Sequence, residues 1–154
     1  MTTEKRKAFI LALNEKINEF VHKKRLFAGG CCYSAYLLAD ILTRMGIKYN
    51  VVLFQSNENA DETYFYDAVD GCDHVAIEVR IGVKRLIIGD YSGITDEYKV
   101  WNTRYVMRRY HEITPSMIFE AYCDNEWNRE YKTSNNPSLK KNLNRIAEKY
   151  QMAA

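Results

Sequence analysis

Two prolines in 154 residues are too few for a proline-rich linker or a polyproline tract. Charge of one sign is also missing. Twenty-two Lys and Arg stand against 20 Asp and Glu, a net charge of +2, and a nucleic-acid partner is not expected on that balance. No apolar run approaches about 18 residues, so neither a membrane span nor a membrane partner is expected. The stretch Met1 to Lys7 is charged and the segment after it is amphipathic. A secretory leader is therefore not expected, and the expected compartment is the cytoplasm. Cysteine is scarce for a disulfide framework: Cys31, Cys32, Cys72 and Cys123, two of them adjacent. Reduced thiols are the expectation. Nothing in the composition implies a cofactor.

What is present is a hydrophobic fraction of 47% with 12 Tyr, 6 Phe and 2 Trp, which excludes a disordered chain. The length fits a single domain over residues 1–154. Residues 4–24 read as a helix, with Phe9, Ile10, Leu13, Ile17, Phe20 and Val21 in one stripe. Ala28-Gly29-Gly30 breaks it. A second helix from about Cys31 to Met45 is apolar over most of its circumference and should be the buried central helix, with Gly46 as its C-terminal cap.

Ile47 to Phe54 reads as a strand, Gln55 to Glu62 as a polar loop and Thr63 to Val69 as a short strand. Asp73 to Arg80 alternates strictly, Lys84 to Asp90 is a further strand, and Gly82 punctuates the two as a hairpin. Thr103 to Ile113 reads as another strand. Thr114-Pro115 starts a helix expected to run to about Tyr131, with Thr as N-cap and Pro in the first turn. Thr133 to Pro137 is a linker, and a basic amphipathic helix with Leu139, Leu143 and Ile146 inward follows. Helices, then strands, then helices predict an α+β fold with an antiparallel sheet.

Gly-Gly-Cys-Cys at the start of a buried helix puts a thiol near the positive end of the helix dipole, among unpaired backbone N–H groups. Both favour the thiolate, and the same N–H groups can stabilise an oxyanion. Free cysteine is otherwise commonly a small buried apolar residue, so a partner is required to argue chemistry. His74 and Asp90 supply one. If the hairpin folds symmetrically about Gly82, residues whose numbers sum to 164 face each other, as these two do. The carboxylate would then fix the imidazole tautomer and stabilise its charged form. A shift of one residue would separate them onto opposite faces. The His74 face also carries Ala76, Glu78 and Arg80, less apolar than the Val75, Ile77 and Val79 face, and is expected to line a cleft.

The order of Cys at a helix start, His on a strand and Asp on the next resembles the transglutaminase-like superfamily, close to papain-like peptidases and arylamine N-acetyltransferases. Gly29-Gly30-Cys31 is followed by Ala35, Leu37-Leu38, Ile41-Leu42, Met45 and Gly46-Ile47, like the helix motif of that superfamily. His74-Val75-Ala76-Ile77-Glu78-Val79, then Leu86-Ile87-Ile88-Gly89-Asp90, is similar to its second motif, with Ala76 where the family has Trp. The resemblance covers about residues 27–93. It implies a central helix with the cysteine at its N-terminus, packed on a small antiparallel sheet with flanking helices. It also implies a Cys-His-Asp triad of Cys31, His74 and Asp90, without metal or cofactor. Counting back from Gly46 selects Cys31 as the nucleophile; an aromatic residue after the nucleophile, here Tyr33, and the acetyltransferase pattern select Cys32. Cys31 is preferred and Cys32 stays open. The implied activity is cysteine-dependent acyl transfer, as peptidase, amidase or transglutaminase-like transferase, on a protein, peptide or small amide.

Two other readings compete. Cys31, Cys32, Cys72 and His74 could fill a zinc tetrahedron, although their spacing is a poor match to Cys-x2-Cys. A non-enzymatic binding module could use Arg104, Arg108, Arg109, Lys140, Lys141 and Arg145 as a basic surface, although such charges are commonly a solvated face. Trp101 and Trp127 read as packing residues, and His22 and His111 have no partner visible in the sequence.

Overall fold

The first helix, α1 (Thr3–Lys24), starts where Thr2 caps it: the Lys5 amide donates to Thr2 Oγ1 at 3.2 Å. In the computed structural model, residues 1–24, 30–55, 64–70, 72–89, 95–96, 106–123 and 137–152 are described. Phe9, Ile10, Leu13 and Ile17 of α1 are all fully buried, as their helical spacing predicts. The second helix, α2 (Gly30–Arg44), buries Ala35, Leu38, Ala39 and Leu42 completely. It ends in a full Schellman motif. The Ile47 amide donates to Leu42 O at 2.9 Å and the Gly46 amide to Thr43 O at 3.1 Å, with Gly46 at φ 70°. Ile47 and Leu42 both sit in the core, the apolar contact this cap favours.

The strands are β1 (Tyr49–Gln55), β2 (Cys72–Ile81), β3 (Lys84–Ile88), β4 (Thr95–Asp96) and β5 (Val106–Tyr110). They form one five-stranded sheet in the order β4-β3-β2-β1-β5, and every pair is antiparallel. The fold is therefore α+β with an antiparallel sheet. α1, α2 and the last helix, α5 (Pro137–Met152), pack together on the sheet face that carries Val51, Leu53, Val75, Ile77 and Val79. In α5, Leu139 and Leu143 are buried, as expected, and Ile146 is partly so. The opposite sheet face has its own smaller cluster of Val52, Phe54, Ala76 and Ile87, with Met107 against it.

Three expectations need correction. The segment expected as a strand from Thr63 to Val69 is not one over its described part, from Tyr64 on. Helix α3 (Phe65–Asp70) occupies it, because Phe65, Ala68 and Val69 recur at helical spacing and all three are buried. Tertiary burial outweighs the strand preference of Tyr64, Phe65 and Tyr66. The hairpin is not symmetric about Gly82. Ile81 pairs with Lys84 across a two-residue turn, Gly82-Val83, so partners sum to 165. Gly82 has φ 63° and Val83 does not share that sign, the signature of a type II′ turn. The His74 face is not an open cleft along its length, because Ala76 and Glu78 are buried and only Arg80 is exposed.

Helix α4 (Pro115–Cys123) begins as predicted, with the Met117 amide donating to Thr114 Oγ1 at 3.2 Å. Its expected continuation to Tyr131, the linker residues before Pro137 and the start of the strand expected from Thr103 lie outside the described residues.

A candidate thiol site at one end of the sheet

Helix α2 and strand β1 are joined by a short connection through Gly46, so the chain reverses and the two run antiparallel. Fifteen helical residues rise about 22 Å and seven strand residues about 23 Å, so the two elements are matched in length. The first turn of α2 therefore returns to the end of the sheet where β1 finishes at Phe54 and Gln55. His74 pairs with Phe54 there. A second landmark agrees. Leu38, two turns into α2, lies beside Gly89, next to Ile88, which pairs with Ile77. From that point seven helical residues back to Cys31 and three strand residues back to His74 each cover about 10 Å.

Cys31 and Cys32 both fall in the first turn of α2, which carries no acidic residue to oppose a thiolate. Cys32 is outside any disulfide, half-buried, and packs against the main core. The side chains of Cys31 and Cys72 lie outside the described residues.

His74 is buried at 7% exposure. Its ring lies 5.5 Å from that of Phe54 at an interplanar angle of 43°. The two share the sheet face turned away from the central part of α2. The β1–β2 register shifts between Phe54 and Gln55, so Gln55 pairs with Cys72 and a bulge sits directly beside His74. Bulges bend a strand and re-aim neighbouring side chains. A thiol at the start of α2 would meet this imidazole around the end of the sheet, not across its face.

Asp90 lies outside the described residues. The observed partners sum to 165, the one-residue shift that removes the cross-strand argument for pairing it with His74, and the ladder ends at Ile88. Gly89 then turns to φ 88°, and its N–H donates to buried Asn14 Oδ1 at 2.9 Å. The strand alternation is interrupted at Gly89.

Two buried polar groups escaped the sequence reading. Gln55, assigned above to a polar loop, is fully buried on the helix-facing row after Val51 and Leu53. Its Nε2 donates to Ala68 O at 3.1 Å, which ties β1 to α3. Its position in the row was the signal that could have found it. Glu78 is 2% exposed and accepts from Arg109 Nε at 2.8 and 3.0 Å and from Asn50 Nδ2 at 3.1 Å. Asn50 Oδ1 in turn lies 2.8 Å from His111 Nδ1. Because Asn50 points its amide nitrogen at Glu78, Nδ1 is the nitrogen of His111 that donates.

Of the suggested basic surface, Arg109 has its charge neutralised inside by Glu78. Lys140, Lys141 and Arg145 are exposed on α5. Arg104, Trp101, Trp127 and the His22 side chain lie outside the described residues. Among the described residues, no three His, Cys, Asp or Glu side chains are grouped to hold a metal, and no helix is long and apolar enough to cross a membrane.

The described residues thus hold two cysteines in the first turn of α2 and a buried imidazole near the start of β2, on an antiparallel α+β sheet. Compared with known proteins, the chain matches no family model, no curated protein and no solved structure.

Proposed function

We propose that the chain is a cysteine-dependent acyl-transfer enzyme of transglutaminase-like or papain-like architecture, working in the cytoplasm on a protein, peptide or small amide. What supports this reading is that α2 and β1, matched in length and joined by a short turn, direct the first turn of α2 toward the sheet end where His74 pairs with Phe54. Counted along α2, position 31 falls in line with Ala35, Leu38 and Leu42, the buried stripe, which favours Cys31 over Cys32 as the nucleophile.

In the proposed reaction the Cys31 sulfur attacks an amide carbonyl carbon, and backbone N–H groups of the first turn hold the oxyanion. His74, oriented by Asp90, accepts the thiol proton and returns it to the leaving amine as the C–N bond breaks. Water then releases the acid, or a second amine takes the acyl group and completes a transfer.

The burial of His74 and its place on the face away from the middle of α2 favour a second reading, a non-catalytic binding module on the same scaffold. Alkylation by iodoacetamide, followed against pH and mapped to each cysteine, separates the two. On the enzymatic reading one of Cys31 and Cys32 reacts far faster than Cys72 and Cys123 below about pH 7, and His74→Ala slows it by about 10²–10⁴-fold. Four ordinary thiol profiles, or a rate unchanged by His74→Ala, would leave the binding module. Stoichiometric zinc in the purified protein would instead support the Cys/His metal site.

A further inference from the structure

Helices α2 and α4 pack against each other, and two landmarks set their register. The Tyr49 hydroxyl donates to Ile113 O at 2.6 Å, just before α4 begins, and also meets Thr43, near the end of α2. Further along, the Phe119 ring of α4 packs on the Tyr36 ring of α2, with centroids 5.4 Å apart. From the first landmark to the second the chain of α4 runs forward from Ile113 to Phe119, while α2 runs backward from Thr43 to Tyr36. Each covers about 10 Å. The two helices therefore run antiparallel and keep contact over that span.

One turn beyond the aromatic pair, position 123 of α4 comes level with position 32 of α2. Residues four apart share a side of a helix. Cys32 thus lies on the Tyr36 side of α2, and Cys123 on the Phe119 side of α4. The Cys123 side chain lies outside the described residues, and its place follows from the backbone of α4. Packed helix axes lie about 8–10 Å apart, and each Cα stands about 2.3 Å from its own axis. Level residues on facing sides therefore come within reach of the Cα separation of about 4.4–6.8 Å that a disulfide spans. Cys31 is not equivalent to Cys32. It falls on the stripe of Ala35, Leu38 and Leu42, which is buried in the core.

Cys32 also has the surroundings of an oxidisable thiol. It sits in the first turn of α2, where the helix dipole favours a thiolate and no acidic side chain opposes it. It is only half-buried, which leaves access for a small oxidant. Thiolate character, access and a neighbouring second thiol together mark cysteines that oxidise reversibly.

We propose that Cys32 and Cys123 form a reversible disulfide that ties the first turn of α2 to α4 under peroxide. The Cys32 sulfur attacks one oxygen of hydrogen peroxide, the O–O bond breaks, and the departing hydroxide takes up a proton to become water. The sulfenic acid left on Cys32 is then attacked by the Cys123 sulfur. The S–O bond breaks and a second water leaves. Two thiols and one hydrogen peroxide thus give one disulfide and two waters, and a dithiol reductant reverses the change. The pairing does not depend on the acyl-transfer reading.

The test is disulfide mapping by mass spectrometry. The full chain is reduced, freed of reductant, treated with one equivalent of hydrogen peroxide and blocked with N-ethylmaleimide. Fragment spectra assign each linkage to Cys31 or to Cys32. The predominant link within the chain is expected to join Cys32 to Cys123, and to persist in Cys31→Ser and in Cys72→Ser. In Cys32→Ser, linkage to Cys123 is expected to fall at least about tenfold, since Cys31 points elsewhere. Absence of any link within the chain, a predominant link through Cys31 or Cys72, or linkage to Cys123 that survives Cys32→Ser overturns the proposal. If a variant fails to fold, the map of the parent chain decides alone.

Discussion

Replacing Gly89 by alanine probes two forces at one backbone position. The first is conformational. At φ 88° an L-residue is strained, at a cost of about 1–2 kcal/mol. The second is steric. A Cβ at Gly89 would lie 3.0 Å from Leu38 Cδ1, and Leu38 is fully buried, so it must shift within the packed core. Forcing extra carbon into a packed core costs about 1–3 kcal/mol. The sum is about 2–5 kcal/mol, or a fall in melting temperature of very roughly 4–20 °C for a chain of this size. Gly46→Ala serves as the control. Gly46 has a similar φ of 70°, but nothing lies within 4 Å of its missing Cβ, so only the conformational cost of about 1–2 kcal/mol remains. Urea denaturation of both variants reads the difference. Equal losses would refute the close contact with Leu38. A loss at Gly89 that Leu38→Val partly restores would confirm it.

Two further perturbations follow from the buried polar contacts. Glu78→Leu leaves the half-buried Arg109 and the Asn50 amide without their acceptor, and a loss of about 3–5 kcal/mol is expected. The double variant Glu78→Leu, Arg109→Met should lose clearly less, and a denaturant titration giving additive losses would contradict the pairing. Tyr49 donates its hydroxyl to Ile113 O at 2.6 Å, and burial pushes its pKa up, opposed by a bond with Thr43 and assisted by Asp40. The folded state therefore holds this proton more tightly than the unfolded chain. The stability this gives is complete below about pH 10 and is lost as pH rises through the raised value. Tyr49→Phe is expected to be less stable at neutral pH and to lose less stability between pH 9 and 11, measured by urea midpoints. A parent alkaline slope unchanged by the substitution would rule this out.

Local signals in the sequence were reliable where local forces decide. Thr114 caps α4, Gly46 closes α2 in a left-handed turn, and the stripe Phe9, Ile10, Leu13, Ile17 buries α1, each as its residue type requires. The hairpin strands were legible but their register was not. A turn centred on one glycine and a turn of Gly82-Val83 look alike in sequence and differ by one residue in pairing. Tyr64 and Tyr66 suggested a strand because β preference is a statement about packing surfaces, and here the packing surface is a helix face. Glu78 and Arg109 pair only because β1 stands between β2 and β5, a neighbour relation that no local pattern encodes. At the thiol site, the sequence placed Cys31 and Cys32 at a helix start and His74 near a strand start. The bulge and the Gly89 turn that govern how those elements meet are backbone features without a residue signature.

The strand order also has a kinetic consequence. β2 and β3 close across a two-residue turn, and β4 adds to β3 from the same neighbourhood of chain. β5 pairs Val51 with Tyr110 and Gln55 with Val106, more than fifty positions apart. Loop closure of that span is entropically the slowest part of building this sheet, so β5 docks late and its amides exchange hydrogen sooner than those of β2. The Glu78–Arg109 pair, which joins β2 to β5 across β1, forms only after that docking, so it stabilises the completed sheet and not its precursor.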